Sequence, residues 1–459
     1  MNGMIVLKLK YFTGIILIFF TLSLCVKAES DQKYIVYLKS DAEPSSDSYA
    51  VMDKKELSEC LSKGTVDFYE PDCEIPLLED FSLRGGGAWN INAVNAQKAW
   101  DIGCYGNYAT VAVIDSGVYA HPDLSNNLLP GHNYHADNSD AGDDVGHGTY
   151  VAGIIAAEAN GEYIDGIASR AKIVPLKCWT KTNSPTTAML CDAIRDAVDI
   201  YHADVINMSF GMNESYTSTA FKLAVKYAID NGCIVTAAVG NDAEHGNPVY
   251  YPAKCDGVIG VGSVNSNLTV SSFSEYNETV DVVAPGEAIA SVTIPGFTNN
   301  SGTSFACPHV SAMAAIAKCI DKNITASEFQ ALLKETSTDS GAVGYDTYYG
   351  YGLINIEAMI DKMLEKTPLF ISPADEKTDC IEATVYNNSQ SLLSAKGFAA
   401  GYAYGALTQM RLFDIDLPAK GTAKMNCQKE DNIRFMLWNG FKPLIRVSEY
   451  INYEPENTK

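Results

Sequence analysis

Three side chains of complementary chemistry stand at the ends of apolar runs. Asp115 closes Thr110-Val-Ala-Val-Ile114 and is followed by Ser116-Gly117. His147 opens the small-residue run Gly146-His-Gly-Thr-Tyr-Val-Ala-Gly153. Ser304 lies in Asn300-Ser-Gly-Thr-Ser-Phe-Ala-Cys-Pro-His-Val310, where turn residues pass into small and apolar ones, the pattern of a tight turn feeding a buried helix. Singly, each has an ordinary structural explanation: a strand-end turn acid, a satisfied helix histidine, a helix N-cap serine. Jointly they supply what acyl transfer needs. A serine hydroxyl is a weak nucleophile and must give up its proton to a base. Imidazole titrates near neutrality, takes that proton and passes it to the leaving amine. A carboxylate fixes the imidazole tautomer and stabilises its charged form. The oxyanion then needs donors, for which the Ser304 backbone N–H and the side-chain amide of Asn241, in Val239-Gly-Asn-Asp242, are the candidates.

These residues must be positioned by elements. From about residue 88 onward, strands (Thr110–Ile114, Lys172–Leu176, Val205–Met208, Ile234–Val239, Val258–Val261) alternate with helical patterns (148–158, 186–201, 217–231 and the run after Ser304). Apolar runs joined by helical crossovers predict a parallel sheet covered on both faces, with functional groups at the carboxyl ends of its strands. Before it, residues 29–84 read as a small α+β unit ending in Arg84-Gly-Gly-Gly87, an exposed junction of the sort proteases cut. After Lys366-Thr-Pro368 the alternation stops, and residues 367–459 read as a small β domain with strands at 380–386, 409–417, 433–438 and 443–448.

Composition narrows the function. The chain has 459 residues, enough for several domains, and a net charge of −23. That sign argues against a nucleic-acid partner and favours attraction of cationic peptides. Residues 1–28 carry Lys8 and Lys10, then an apolar run, then Val26-Lys-Ala28, the pattern of a cleaved export signal; no later stretch reads as a membrane span. Twelve cysteines occur at wide spacings with no CxxC, read chiefly as buried thiols, with Cys178–Cys191 a candidate pair for a disulfide in the mature region.

Six motifs stand in order: Val111-Ala-Val-Ile-Asp-Ser-Gly-Val118 with His121-Pro-Asp-Leu124, Gly146-His-Gly-Thr149, Val205-Ile-Asn-Met-Ser-Phe-Gly211, Ala238-Val-Gly-Asn241, Val283-Ala-Pro-Gly286 and Gly302-Thr-Ser-Phe-Ala-Cys-Pro-His-Val310. Together they make residues 88–335 resemble a subtilisin-type serine peptidase. The resemblance implies an α/β fold with the subtilisin-like parallel sheet at 85–366, preceded by an inhibitory propeptide at 29–84 and followed by the β domain. It implies Ser304 as nucleophile, His147 as general base and acid, Asp115 as its orienter and Asn241 as oxyanion donor. Ser209, Phe210 and Gly211 become a groove edge for an added substrate strand, and Tyr250 the floor of the first specificity pocket, where the family usually has a small residue. Such a pocket is shallow, and Asp242 and Glu244 nearby favour a basic residue there. Cys307 beside the nucleophile suggests sensitivity to thiol reagents, while His309 is structural. Calcium is implied at Asp123, Asn160 and carbonyls around 158–164, although Gly85 stands where the family has a glutamine ligand. The expected protein is a secreted endopeptidase made as a zymogen, its partners a peptide substrate and its own propeptide, cut between about Leu83 and Ala88. A catalytically silent peptide-binding relative and a dedicated processing protease for one exported precursor are the other readings.

Overall fold

The computed structural model describes residues 32–39, 49–73, 75, 81–82, 89–213, 218–367, 369–377, 379–403, 406–429, 432–439, 442–443 and 448–451. Residues 1–28, read from the sequence as an export signal, and the junction at 83–88 lie outside them. Seven strands form the central sheet: β1 (Thr110–Asp115), β2 (His132–Asn133), β3 (Lys172–Lys177), β4 (Val205–Met208), β5 (Ile234–Ala238), β6 (Ile259–Val264) and β7 (Val282–Pro285). Their order is β7-β6-β5-β4-β1-β3-β2, and every pairing is parallel. The inner strands are largely apolar because both faces are covered, as the alternation predicted.

Period-two geometry sends alternate side chains to opposite faces. Val111, Val113, Val205, Ile234 and Val261 enter one core with α1 (His147–Ala156) and α4 (Thr303–Ile320). Ala112, Ile114, Ile206, Met208 and Val235 enter the other with α2 (Thr187–Asp199) and α3 (Thr219–Asp230). Helix α4 is buried along almost its whole length, which explains its run of small residues. Asp115 ends β1, the helix opened by His147 follows β2, and Asn241 follows β5, so all three emerge at the carboxyl edge of one sheet.

The N-terminal unit is a three-stranded antiparallel sheet, Ala50–Asp53 against Lys33–Leu38 against Val66–Pro71, with a helix at Lys54–Ser62 closed by an Asp53/Glu56 capping box. It sits on α2 and α3. Ile35, Tyr37 and Ile75 join that face's core. The Glu70 carboxylate accepts the Thr219 and Ala220 N–H groups at 2.8 and 2.7 Å and the Ser218 hydroxyl, while Asp72 accepts the Ala188 N–H at 2.9 Å. Two carboxylates thus meet the positive ends of two helices.

The C-terminal unit is built of two antiparallel sheets with a core of its own, including Ile381, Val385, Met425, Phe435 and Leu437. Its longest pairing joins Leu393–Ala403 to Ala406–Leu417. The first of these strands escaped the sequence reading because glycines and alanines dilute its apolar alternation. The strand at Thr422–Cys427 was also missed, since lysine and asparagine interrupt it. Cys178 and Cys191 are both free, buried thiols, so this candidate pair forms no disulfide.

Candidate active site

The site is built first around an acid–imidazole pair. Asp115 is fully buried, and its Oδ1 and Oδ2 lie 2.8 and 2.9 Å from His147 Nδ1. Its Oδ1 also accepts the Ser116 N–H at 2.7 Å, and Ser116 Oγ accepts the Gly148 N–H at 2.9 Å, so strand end and helix start are tied directly. Gly148 lies so close that an added Cβ would stand 2.2 Å from the Gly117 carbonyl oxygen. Asp143 holds the entry to α1: Oδ1 accepts Val145 and Gly146 N–H, and Oδ2 accepts the N–H and hydroxyl of Thr149. With φ at 109°, Gly146 makes the turn a side chain would resist. A carboxylate on Nδ1 leaves Nε2 as the nitrogen that exchanges the reactive proton.

Ser304 is the second residue of α4 and fully buried. Pro308 follows four residues later inside the helix and has no N–H to give the Ser304 carbonyl. That carbonyl instead accepts Ser209 Oγ–H at 2.8 Å, and Ser304 Oγ donates in return to the Ser209 carbonyl at 3.0 Å. The proline sits beyond the first turn, and the acceptor it orphans is used to join α4 to the end of β4. Ser209 Oγ is itself oriented by the Asn207 side-chain amide at 2.9 Å. The Phe305 ring lies 5.5 Å from the His147 ring and 4.5 Å from Tyr150, which packs beneath, away from the chemistry.

Asn241 is buried beside α4. Its Oδ1 accepts both the Thr303 N–H and the Thr303 hydroxyl, each at 2.8 Å, and Thr303 Oγ1 accepts the Gly240 N–H at 3.2 Å. With the amide oxygen so committed, the donor end of Asn241 is fixed by its neighbour. Thr303 is a residue of the candidate site that the sequence reading missed; its position directly before Ser304 was the available signal. Asp143 was missed because an acid in a polar loop has nothing local to mark it.

Ser209, Phe210 and Gly211 run along the end of β4, and Tyr250 lies against Gly211 and Gly240 with its hydroxyl on the Asp242 carboxylate. Glu275 supports the same loop: Oε1 accepts the Asp242 N–H at 3.0 Å, and burial pushes its carboxyl up to about 8. Nothing in the sequence marked Glu275, because its burial comes from tertiary packing. Cys307 is fully buried with its thiol on Asn207 and Thr236, and burial pushes it up to about 12, which makes it inert rather than reagent-sensitive. His309 is wedged between the Phe305 carbonyl and the Asn90 amide, and burial pushes it down to about 4, a neutral structural histidine as expected.

Asp123 and Asn160 do come together, but as a hydrogen-bonded loop at the far end of α1. Asn160 Nδ2 donates to Asp123 Oδ1 at 2.9 Å, and the Ile164 N–H points at Oδ2 at 3.4 Å. The nearby Glu158 carboxylate is taken by Asn126, and among the described residues no three acidic, histidine or cysteine groups cluster as a metal site. Calcium wants six to eight oxygens; a lone carboxylate faced by two N–H groups does not fit it as arranged.

Comparison with known proteins agrees with the geometry. The profile of the subtilase family matches residues 106–352. The minor extracellular protease Epr of Bacillus subtilis is 36% identical over 59% of this chain, an alignment spanning 41% of Epr's own length. A thermostable alkaline protease of Halalkalibacterium halodurans is 32% identical over 67% of this chain and 81% of its own. Subtilisin DY of Bacillus licheniformis is 37% identical, with 59% of this chain and 97% of the subtilisin covered. A solved structure of a protease from Pseudoalteromonas arctica superposes with a TM-score of 0.54 and 30% identity, over 59% of this chain and 94% of that one.

Proposed function

The chain belongs to the subtilase family, and on that premise we propose that it is a serine endopeptidase, exported and made as a self-processed zymogen. The observation that carries the reading is the fully buried Asp115 carboxylate on His147 Nδ1 at 2.8 Å. In the reaction the Ser304 hydroxyl turns from the Ser209 carbonyl to His147 Nε2 and yields its proton as Oγ attacks the substrate carbonyl carbon. The oxyanion is met by the Ser304 N–H, near the positive end of α4, and by the Asn241 amide. His147, now cationic and held by Asp115, gives the proton to the leaving amine; the C–N bond breaks and an acyl-serine remains. Water, deprotonated by His147, then releases the acid and restores Ser304. Ser209–Gly211 receive the substrate as an added strand.

The zymogen reading is supported by the chain's own path. The Ile75 N–H donates to the Pro185 carbonyl at 2.8 Å, and Trp179 Nε1 donates to the Ile75 carbonyl at 2.9 Å. Trp179 packs on Phe210, next to Ser209 and hence Ser304. Past the nucleophile, Phe81 and Ser82 pair antiparallel with Ser301 and Asn300. Ile75 is thus held by Trp179 beside Phe210, and Phe81 pairs with Ser301, three residues before Ser304, which favours a cut between Ile75 and Phe81 over one at 83–88. Paired expression of wild type and Ser304→Ala with intact-mass analysis tests this. A wild type shortened to begin between residues 76 and 81, beside an unshortened mutant, is expected. Equal shortening of both would remove self-processing, and failure of a serine-directed phosphonate to label the wild type would favour the silent-binder reading.

A further inference from the structure

On the subtilase reading, an acyl donor whose carbonyl carbon meets Ser304 Oγ, with its oxygen on Asn241, sends that residue's side chain between Ser209–Gly211 and Ala238–Asn241. These two segments are hydrogen-bonded to Ser304 and Thr303. Both segments present a glycine to that slot, Gly211 and Gly240. In this chain the slot holds the ring of Tyr250. A Cβ placed on Gly211 would stand 3.0 Å from its Cδ1, and one placed on Gly240 would stand 2.5 Å from its Cδ2. The ring therefore reaches from one glycine to the other, one ortho carbon against each.

We propose that Tyr250 is the specificity-determining residue of the acyl-side pocket, closing it to aromatic and long basic side chains so that the residue preceding the cut bond must be short. The inference rests on the peptidase reading above. The ring is held in place: its hydroxyl is bound by the Asp242 carboxylate, and the Asp242 N–H is bound by Glu275 Oε1. Glu275 lies on the same side of Gly240, its Cγ 2.8 Å from the Cβ that glycine lacks. Glu275 is fully buried, and its Oε2 has no partner among the described residues. An acid placed there invites a cationic substrate side chain, but three features stand against that. The ring covers the approach. Asp242 is already engaged by Tyr250 and faces His245 Nδ1 at 3.9 Å. Burial, with Asp242 nearby, keeps the Glu275 carboxyl protonated to about 8, so the wall carries little charge at neutral pH. The basic preference suggested by the acids in the sequence is thus replaced by a steric one. In keeping with it, the stretch between Ile75 and Phe81, Glu74 excepted as lying before it, is Pro76-Leu-Leu-Glu-Asp80 and contains no aromatic or basic residue.

The test is a set of peptides identical but for Ala, Leu, Phe or Arg before the cut bond, read as kcat/KM with the wild type, Tyr250→Gly and Tyr250→Phe. Wild type is expected to prefer Ala and Leu over Phe and Arg by about tenfold or more, the scale on which pocket size discriminates. Tyr250→Gly is expected to raise Phe relative to Ala by at least about tenfold. Tyr250→Phe keeps the ring and is expected to keep the wild-type order. Equal cleavage of Ala and Phe by wild type, or an Arg preference, overturns the proposal whether or not the glycine variant folds. An unchanged Phe/Ala ratio in a folded Tyr250→Gly overturns it too. Failure of the peptidase reading is separately visible, since no peptide would then be cut and a phosphonate probe would leave Ser304 unlabelled.

Discussion

Replacing Thr303 by valine should lower turnover without weakening substrate binding. The change keeps shape and the backbone N–H but removes the hydroxyl that donates to Asn241 Oδ1 at 2.8 Å and accepts from Gly240 N–H at 3.2 Å. The amide oxygen keeps the bond from the Thr303 N–H. Losing one neutral hydrogen bond costs about 1 kcal/mol, and freedom to pivot adds to it, so about 1–2 kcal/mol of transition-state stabilisation is at stake. That converts to a fall of about 5–30-fold in kcat. The ceiling is outright loss of the donor, which in a subtilisin, the worked case for this effect, costs about 10²–10³. Because the oxyanion exists only in the transition state, KM should stay within about twofold. The orphaned Gly240 N–H should also cost stability, about 1–3 kcal/mol. Thr303→Ser retains both hydroxyl bonds and should behave as wild type. Steady-state kinetics on one peptide, with thermal melts alongside, reads all three quantities. A raised KM with unchanged kcat, or a serine variant as impaired as the valine one, would refute the argument.

The pH dependence of stability carries a signature of Glu275. Its folded carboxyl keeps its proton to about 8 while an unfolded one releases it near 4.5, so the folded state binds more protons between those values. Its contribution is full below pH 4.5 and is lost as pH rises through 8; Glu275→Gln should flatten that fall in denaturant melts at pH 5.5 and 8.5, and an unchanged slope would exclude it. Glu70→Ala in a Ser304→Ala background should loosen the N-terminal unit from α3 by about 0.5–2 kcal/mol, the scale of a lost cap, seen as faster limited proteolysis before residue 89; equal rates would show the cap to be idle. Iodoacetamide should leave Cys307 unmodified in the native protein and label it after unfolding, with labelling of the native protein as the contrary result.

Much of this was legible because the sheet's physics is written in one-dimensional patterns. The apolar run before Asp115 and the small-residue run after His147 announce a strand and a close-packed helix by composition alone. Ser304, His147, Asp115 and Asn241 were legible because each stands beside a turn at an element's end. What escaped depends on contacts between distant segments. Thr303 matters only through Asn241, and Glu275 only because packing buries it under Gly240. Cys307 read as sensitive to thiol reagents from its sequence neighbour Ser304, yet packing against Asn207 and Thr236 on the sheet buries its thiol completely. Asp123 and Asn160 meet as acceptor and donor to each other, and residue type alone cannot tell a ligand pair from a hydrogen-bonded pair.

The reciprocal bonds between Ser209 and Ser304 give the site a resting latch. The nucleophile's proton is parked on a backbone carbonyl of the very edge that a peptide would align along. Releasing it costs one hydrogen bond, about 1 kcal/mol, which corresponds to about a fivefold smaller population of the armed rotamer. A peptide that settles along Ser209–Gly211 disturbs that edge and offers compensation; a small electrophile drifting in from solvent offers none. Reactivity is thereby weighted toward molecules long enough to register with the groove, a filter that operates before any bond is made or broken.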